Sequence, residues 1–214
     1  MEAKKLDVPT DALLDPLSSR WGKVPQETIG LEGTPVQLQP SRYVRAKWSD
    51  RPTGTVRSLG VRAVHNGRQV LFQLEWGDPT QDREYADRGF PDAAGILFPL
   101  NGAARLQTMG SPEAPVNAWY WRADSDLARN LVASGLGSVE GAGDGRLTAR
   151  SAWAKGVWRV VLSRPIRRPQ KTPAVRFLAD RTVQVAFAIW DGGSGERGGI
   201  KSFSRTWREL RLER

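Results

Sequence analysis

The 214-residue sequence predicts a mainly β fold: an antiparallel β-sandwich with long loops and one or two short helices. Three observations predict it. Short apolar stretches with period-two alternation recur along the chain. Turn residues, including 22 Gly and 14 Pro, punctuate those stretches. Only one segment reads as a convincing helix. A chain of this length fits one domain and can bury enough surface to hold a core without covalent staples.

Residues 1–35, rich in Pro and polar groups, read as an extended N-terminal arm packed on the core, and 36–214 as the sandwich domain. Val36–Gln39 alternates and reads as a strand. The runs Val61–Val64 and Gln69–Trp76 flank His65-Asn66-Gly67-Arg68. Asn-Gly accepts positive φ at both turn positions, so this is the clearest hairpin. Val70, Phe72, Leu74 and Trp76 share one face, expected to be buried. Leu71, Gln73 and Glu75 share the other, expected to be mostly wet. Further strands are expected at 95–100, 116–122, 147–154, 157–163, 175–178, 182–190 and 200–210. Within 182–190, Val183, Val185, Phe187 and Ile189 face one way. The small Ala186 and Ala188 face the other, where something bulky can sit close to the backbone. The helix is expected over Ser125–Ser134, with Asp124 as N-cap and Gly135 as stop. Loops at 77–93, 101–115, 135–146 and 191–199 are long for hairpins, a length usually tied to function.

Composition excludes several chemistries. With no Cys there is no disulfide, no thiolate zinc site, no iron–sulfur cluster held by this chain's own thiolates and no covalent c-type haem. A single His leaves no multi-histidine metal site and permits a Ser-His-Asp triad only through His65, which the hairpin places in an exposed turn. The formal charge of +9 favours an acidic partner. The basic residues are scattered, except at Arg164, Arg167, Arg168 and Lys171. Nucleic acid is therefore not the expected partner, and that cluster reads either as a dock for an acidic surface or as a solvated basic loop. No apolar run is long enough to span a bilayer, and the N-terminus shows no secretory h-region.

Nine Trp are many for this length. They serve core packing or an aromatic platform, and a carbohydrate-binding sandwich using Trp faces is one functional reading. Trp119 and Trp121 share one face of their strand, with Tyr120 opposite. The acidic residues Asp82, Glu84, Asp87 and Asp92 follow Trp76, but Arg83 and Arg88 interleave and no EF-hand spacing is present, so solvated loop charge is expected. Met109 lies in a loop, in a chain whose only other methionine is Met1. Lys201 follows Gly198-Gly199-Ile200. Taken singly, each is a gap-filling Met and a solvated Lys.

Considered together, several segments resemble a known family. They are Val61–Gly67, Phe72–Thr80, Pro91–Ala94, Met109-Gly110 leading into Pro115–Arg122, and Val185–Gly192 continuing through Gly195–Gly199 to Lys201-Ser202. In this order they resemble the haem b (γ) subunit of the ethylbenzene dehydrogenase and dimethylsulfide dehydrogenase group. Those subunits accompany molybdoenzymes of the type II dimethyl sulfoxide reductase family, and chlorate and selenate reductases have similar ones. The resemblance spans about residues 35–208 and implies a non-catalytic electron-transfer subunit with one non-covalent haem b. Met109 and Lys201 would be its axial ligands. It further implies a periplasmic complex with a molybdenum catalytic subunit and an iron–sulfur subunit, exchanging electrons with a carrier such as a c-type cytochrome. No export signal is visible in this chain.

The chemistry is compatible with that implication. A Cys-free chain suits a non-covalent haem. One His cannot supply a bis-His pair, and a thioether favours ferrous iron. A Lys ligand must be a neutral amine; against a reference pKa near 10.4, neutrality at pH 7 costs roughly 4.6 kcal/mol, which burial and the metal bond would offset. The glycines before Lys201 would allow close backbone approach to the ring. Asn117, Trp119 and Trp121 follow Met109 closely and are expected to line the pocket. Arg197 and Arg205, near Lys201, are the expected propionate partners.

Overall fold

In a computed structural model, residues 1–85, 89–102, 104–143, 146–167, 173–178 and 181–214 are described. The elements in chain order are β1 (Glu2–Lys5), α1 (Asp11–Leu14), β2 (Glu27–Gly30), β3 (Glu32–Gly33), α2 (Arg42–Trp48), β4 (Ser58–His65), β5 (Gln69–Gly77), β6 (Ala93–Pro99), β7 (Val116–Arg122), β8 (Leu127–Ala133), β9 (Val139–Gly141), β10 (Thr148–Ala154), β11 (Val157–Pro165), β12 (Val183–Trp190), β13 (Ser202–Phe203) and β14 (Arg208–Leu212). The mainly β architecture with two short helices matches the sequence expectation.

The strands form two layers. One runs β10-β11-β5-β4, with β2 on the far side of β4; the other runs β14-β12-β6-β7-β8-β9. Strand β1 joins them. Glu2 and Ala3 pair in parallel with Arg211 and Leu212, and Lys4 and Lys5 with Val64 and His65. The other strand pairings among the described residues are antiparallel. Between the layers lies the main core. Phe72, Leu74, Trp76, Trp158 and Val160 from one side meet Ile96, Phe98, Trp119, Trp121 and Phe187 from the other. The rings pack edge-on and tilted: Phe98 to Trp119 at 4.9 Å between centroids, Trp121 to Trp158 at 5.2 Å, Phe72 to Trp119 at 5.8 Å. Aromatic quadrupoles favour such contacts over face-to-face stacking.

Four local expectations are corrected. Residues 127–133 form β8, not a helix: Leu127–Ala133 pairs along all of β7. Asp126 turns the chain with φ 51° and accepts the Trp121 indole N–H at 2.7 Å. Asp124 grips Arg122 rather than capping a helix. Tertiary pairing here outweighs local helix preference. Residues 36–38 form a 3-10 turn after Pro35 instead of a strand. Residues 175–178 pair with no strand among the described residues; the Val175 N–H is satisfied by the Asn117 side-chain oxygen at 3.1 Å. The face of β5 expected to be wet is covered, because Leu13, Trp21 and Val24 of the N-terminal segment pack on Val64, Leu71 and Val161. Gln73 on that face is buried and donates to Pro16 O at 2.8 Å.

Charge expectations also shift. Arg164 is buried, reaching Val175 O at 3.3 Å and lying 5.8 Å from the Trp119 ring, so it does not belong to a docking face. Arg168 and Lys171 lie outside the described residues. The 58–77 hairpin forms, with Gly67 at φ 78° and no positive φ at Asn66. His65 is not an exposed turn residue: it ends β4, buried, with Nε2 2.8 Å from Glu213 O. Burial lowers its pKa.

The inter-sheet aromatic cluster generates a direct test. Trp119→Ala removes a fully buried ring from the centre of that cluster and should cost about 3–5 kcal/mol, read from urea unfolding.

Candidate functional site

The second layer is apolar on both sides. One face of β12, bearing Val185, Phe187 and Ile189, enters the inter-sheet core. The other, bearing Ala186, Ala188 and Trp190, belongs to a separate apolar cluster with Leu97, Val116, Ala118 and Met109. This outer face holds a cavity of about 350 Å³, within the ~300–1,000 Å³ range of small-molecule and cofactor sites. Its floor is made of small residues from three neighbouring strands: Gly95, Ala118 and Ala188. Leu97, Leu131, Leu136 and Val139 supply apolar walls, and Tyr120, Trp190, Gln39 and the Gly198-Gly199 backbone complete it. A smaller void of about 50 Å³ shares Leu97, Met109, Leu136, Ala188 and Lys201 with it.

Met109 and Lys201, 92 residues apart in sequence, both line this cavity, with Lys201 Nζ 3.9 Å from Met109 Sδ. Met109 sits in an unusual backbone position. Its φ is 54°, a left-handed conformation uncommon for a side-chain-bearing residue. Neighbouring hydrogen bonds hold it there: Met109 N to Leu106 O at 3.0 Å, Gly110 N to Arg105 O at 2.9 Å and Gly135 N to Met109 O at 3.2 Å. Gly110 follows at φ 80°, where an added Cβ would sit 2.5 Å from Ala114 O. Strained positions of this kind persist where surrounding structure over-determines them, often at functional sites.

Lys201 is fixed from the other side. Its carbonyl accepts from Thr34 N and Thr34 Oγ1, both at 3.0 Å. The turn before it is tied by Gln39 Nε2 to Gly199 O at 3.1 Å, and an added Cβ at Gly199 would lie 1.9 Å from Gln39 Oε1. The glycine therefore admits Gln39 as well as bringing the backbone to the cavity. The Lys201 side chain is 5% exposed, with Nζ 5.6 Å from the centre of the Trp190 ring. No carboxylate among the described residues pairs with it. The nearby Glu196 carboxylate is taken by the N–H groups of Gly54, Thr55 and Asp191. Burial lowers the Lys201 pKa from 10.5 to about 8, only partly opposed by the charge of Glu196. At that value, deprotonation at pH 7 costs about 1.4 kcal/mol. A buried amine whose deprotonation is made cheaper by burial, beside a soft sulfur in an apolar cavity, has the chemistry of a nitrogen–sulfur donor pair.

The other expected site residues are placed elsewhere. Asn117, Trp119 and Trp121 do not line the cavity. Strand alternation turns all three toward the inter-sheet side and presents Ala118 and Tyr120 instead. Asn117 is buried and bonds Asn130 Oδ1 at 2.8 Å and Leu131 O at 2.9 Å. With Trp119 and Trp121 fully buried, neither is a platform for a sugar. Arg197 is exposed and stacks over Phe90 at 4.3 Å; Arg205 is exposed and pairs with Glu32 at 3.5 Å. Neither lines the cavity. Sequence reasoning missed Tyr120, Leu131, Leu136 and Val139. The first was legible from the small-residue register it shares with Ala118. Leu131 lies on β8, which reads locally as a helix; Leu136 sits in the turn after it and Val139 opens β9.

Similarity to known proteins is consistent over most of the chain. The family model described as "Ethylbenzene dehydrogenase" matches residues 18–146 and 137–202. Over 206 residues the chain is 32% identical to a Haloferax mediterranei protein, ORF7, provisionally named as the haem subunit of a respiratory nitrate reductase; the match covers 92% of this chain and 70% of that protein. The chlorate reductase γ subunit of Ideonella dechloratans is 36% identical over 162 residues, covering 75% of this chain and 67% of that one. The dimethylsulfide dehydrogenase γ subunit of Rhodovulum sulfidophilum is 31% identical over 200 residues, covering 90% and 73%. Among solved structures, a family 9 carbohydrate-binding module from Caldicellulosiruptor kristjanssonii superposes with a TM-score of 0.59 at 10% identity, covering 100% of this chain and 95% of that one. At that identity the likeness shows the shared sandwich fold.

The buried amine makes a prediction for the haem-free chain. Its folded pKa is depressed, so between about pH 8 and 10.5 the unfolded chain holds a proton that the folded chain has released. Stability contributed by this group therefore rises with pH across that window. Urea unfolding of wild type and Lys201→Met at the two ends of the window should show the wild type gaining up to about 3 kcal/mol relative to the variant.

Proposed function

Because the chain belongs to the ethylbenzene dehydrogenase family, we propose that it is a haem-carrying electron-transfer subunit of an oxidoreductase complex, with Met109 and Lys201 as axial ligands. A single observation carries this reading: the Met109 sulfur and the buried Lys201 amine meet 3.9 Å apart in one apolar cavity. Met109 Sδ and Lys201 Nζ would hold the haem iron between them, the thioether as the soft donor and the amine as the nitrogen donor. The residues present fit the group. The small floor residues leave room for a flat macrocycle, and the aliphatic walls suit its faces.

When bound, haem supplies a one-electron iron couple tuned by its axial donors. This chain's residues do the rest. The hydrogen bonds around Leu106–Gly110 hold the thioether at the cavity; Thr34 and Gln39 anchor the segment that carries the amine. Burial lowers the cost of deprotonating that amine, and the apolar walls exclude water. With both axial positions filled from the protein, no position remains for substrate, so the role is electron relay and not catalysis. We further propose haem b in one copy. Its partners would be a molybdenum catalytic subunit and an iron–sulfur subunit, with electrons passing to or from a soluble carrier such as a c-type cytochrome in the periplasm. No helix among the described residues is long and apolar enough to cross a membrane.

Absorption spectroscopy of the protein produced with haem available tests the ligand assignment. The wild type should show a Soret band and low-spin spectra in both oxidation states. Met109→Ala should lower the midpoint potential and open the iron to carbon monoxide. Lys201→Ala should give a high-spin or easily lost haem. Low-spin spectra unchanged in both variants would overturn the pair, and a protein that takes up no haem would overturn the function.

A further inference from the structure

A second cluster of donors lies away from the Met109–Lys201 cavity, where residues 78–82 and Asp92 meet the 190–196 segment. Asp78, Asp92 and Asp191 are 2%, 0% and 8% exposed, and one carboxylate oxygen from each lies within 4.8 Å of the other two. Asp92 was expected in solvated loop charge; instead its Oδ1 accepts from Gly192 N at 2.9 Å and its Oδ2 from Asp82 N and the Trp158 indole N–H, each at 2.9 Å. Its former companion Asp87 lies outside the described residues. Asp191 accepts from Ser194 N and Ser194 Oγ, both at 2.8 Å. Asp78 accepts from Thr80 N through Oδ1 at 3.1 Å, while its Oδ2 is buried without any hydrogen-bond partner.

No Lys, Arg or His among the described residues forms an ion pair with any of the three. Three buried carboxylates without a countercharge are strongly unfavourable unless they take up protons or a cation. The pressure to do so is visible in Asp92, pushed up to about 7, and Asp78, pushed up to about 6, both chiefly by burial and with neighbouring carboxylates adding to it. Oxygen-only donors, mutual separations under 4.8 Å and a buried oxygen with no donor match a hard divalent ion with ligands at 2.3–2.6 Å.

We propose that Asp78, Asp92 and Asp191 bind a calcium-class divalent cation that clamps Asp78 and Asp92 to the 190–196 segment. The clamp adjoins the metal-donor cavity without belonging to it. Asp191 follows Trp190, whose ring lies over Lys201, and its N–H is held by Glu196. A bound cation would therefore stiffen the run of chain that delivers Lys201.

The test uses the full chain stripped with chelator. Terbium should give luminescence excited through tryptophan, since Trp158 donates directly to Asp92, and calcium should displace it with an apparent dissociation constant of ~10⁻⁶–10⁻³ M. Calcium well above that constant should raise the melting temperature by about 2–4 °C or more, and magnesium should do so more weakly. The isosteric changes Asp78→Asn and Asp191→Asn should each abolish both responses. Absence of sensitised emission and of a calcium-dependent shift in the wild type overturns the proposal. So does a calcium response that persists in both variants, or a folded Asp78→Asn protein that is more stable than a calcium-insensitive wild type, the signature of carboxylates that are merely protonated. If neither variant folds, the wild-type titrations decide. None of these readouts depends on haem.

Discussion

The structure rests on one constraint: the sheet built from β6, β7 and β12 is apolar on both faces. A strand that buries only one side alternates apolar and polar residues. Here β12 alternates large apolar with small apolar instead, Val185, Phe187 and Ile189 against Ala186 and Ala188. The large side chains fill the space between the layers. The small ones leave a depression that loops, not another sheet, must cover. Residues 104–115 bring Met109 over that depression, and the 191–201 segment brings Lys201. The site therefore results from covering a second apolar face with loop segments, each pinned by backbone hydrogen bonds.

Much of this was readable beforehand because period-two patterns act over a few residues. The β7 boundaries, the 58–77 hairpin and the small face of β12 all follow from local alternation and turn chemistry. The Met109–Lys201 pair was legible too, though only through resemblance, since no local rule links positions 92 residues apart. What alternation cannot supply is which face of a strand meets which layer. Trp119 and Trp121 share a face, as read, but it is the inter-sheet one, so the cavity received Ala118 and Tyr120. A β7 register shifted by one residue would have satisfied the same local pattern with the opposite outcome.

The remaining departures share a different cause. Leu127–Ala133 has enough helix-compatible residues to look helical alone, and only full pairing with β7 makes it a strand. Polar residues were expected in solvent on the strength of their chemistry, yet His65, Gln73, Asp92 and Arg164 are all buried. Each meets a partner outside its own element, such as Glu213 O for His65 and Pro16 O for Gln73. Burial of a polar side chain is set by long-range partners, which no window of neighbouring residues reveals.

The floor of Gly95, Ala118 and Ala188 has a dynamic consequence. Glycine and alanine have no rotamers to exchange, and their backbone groups are locked into the β12-β6-β7 ladder. A guest resting there meets a surface that cannot repack when its charge changes. For a one-electron carrier seated there, such a rigid bed would keep the nuclear rearrangement on that side small when it is oxidised or reduced.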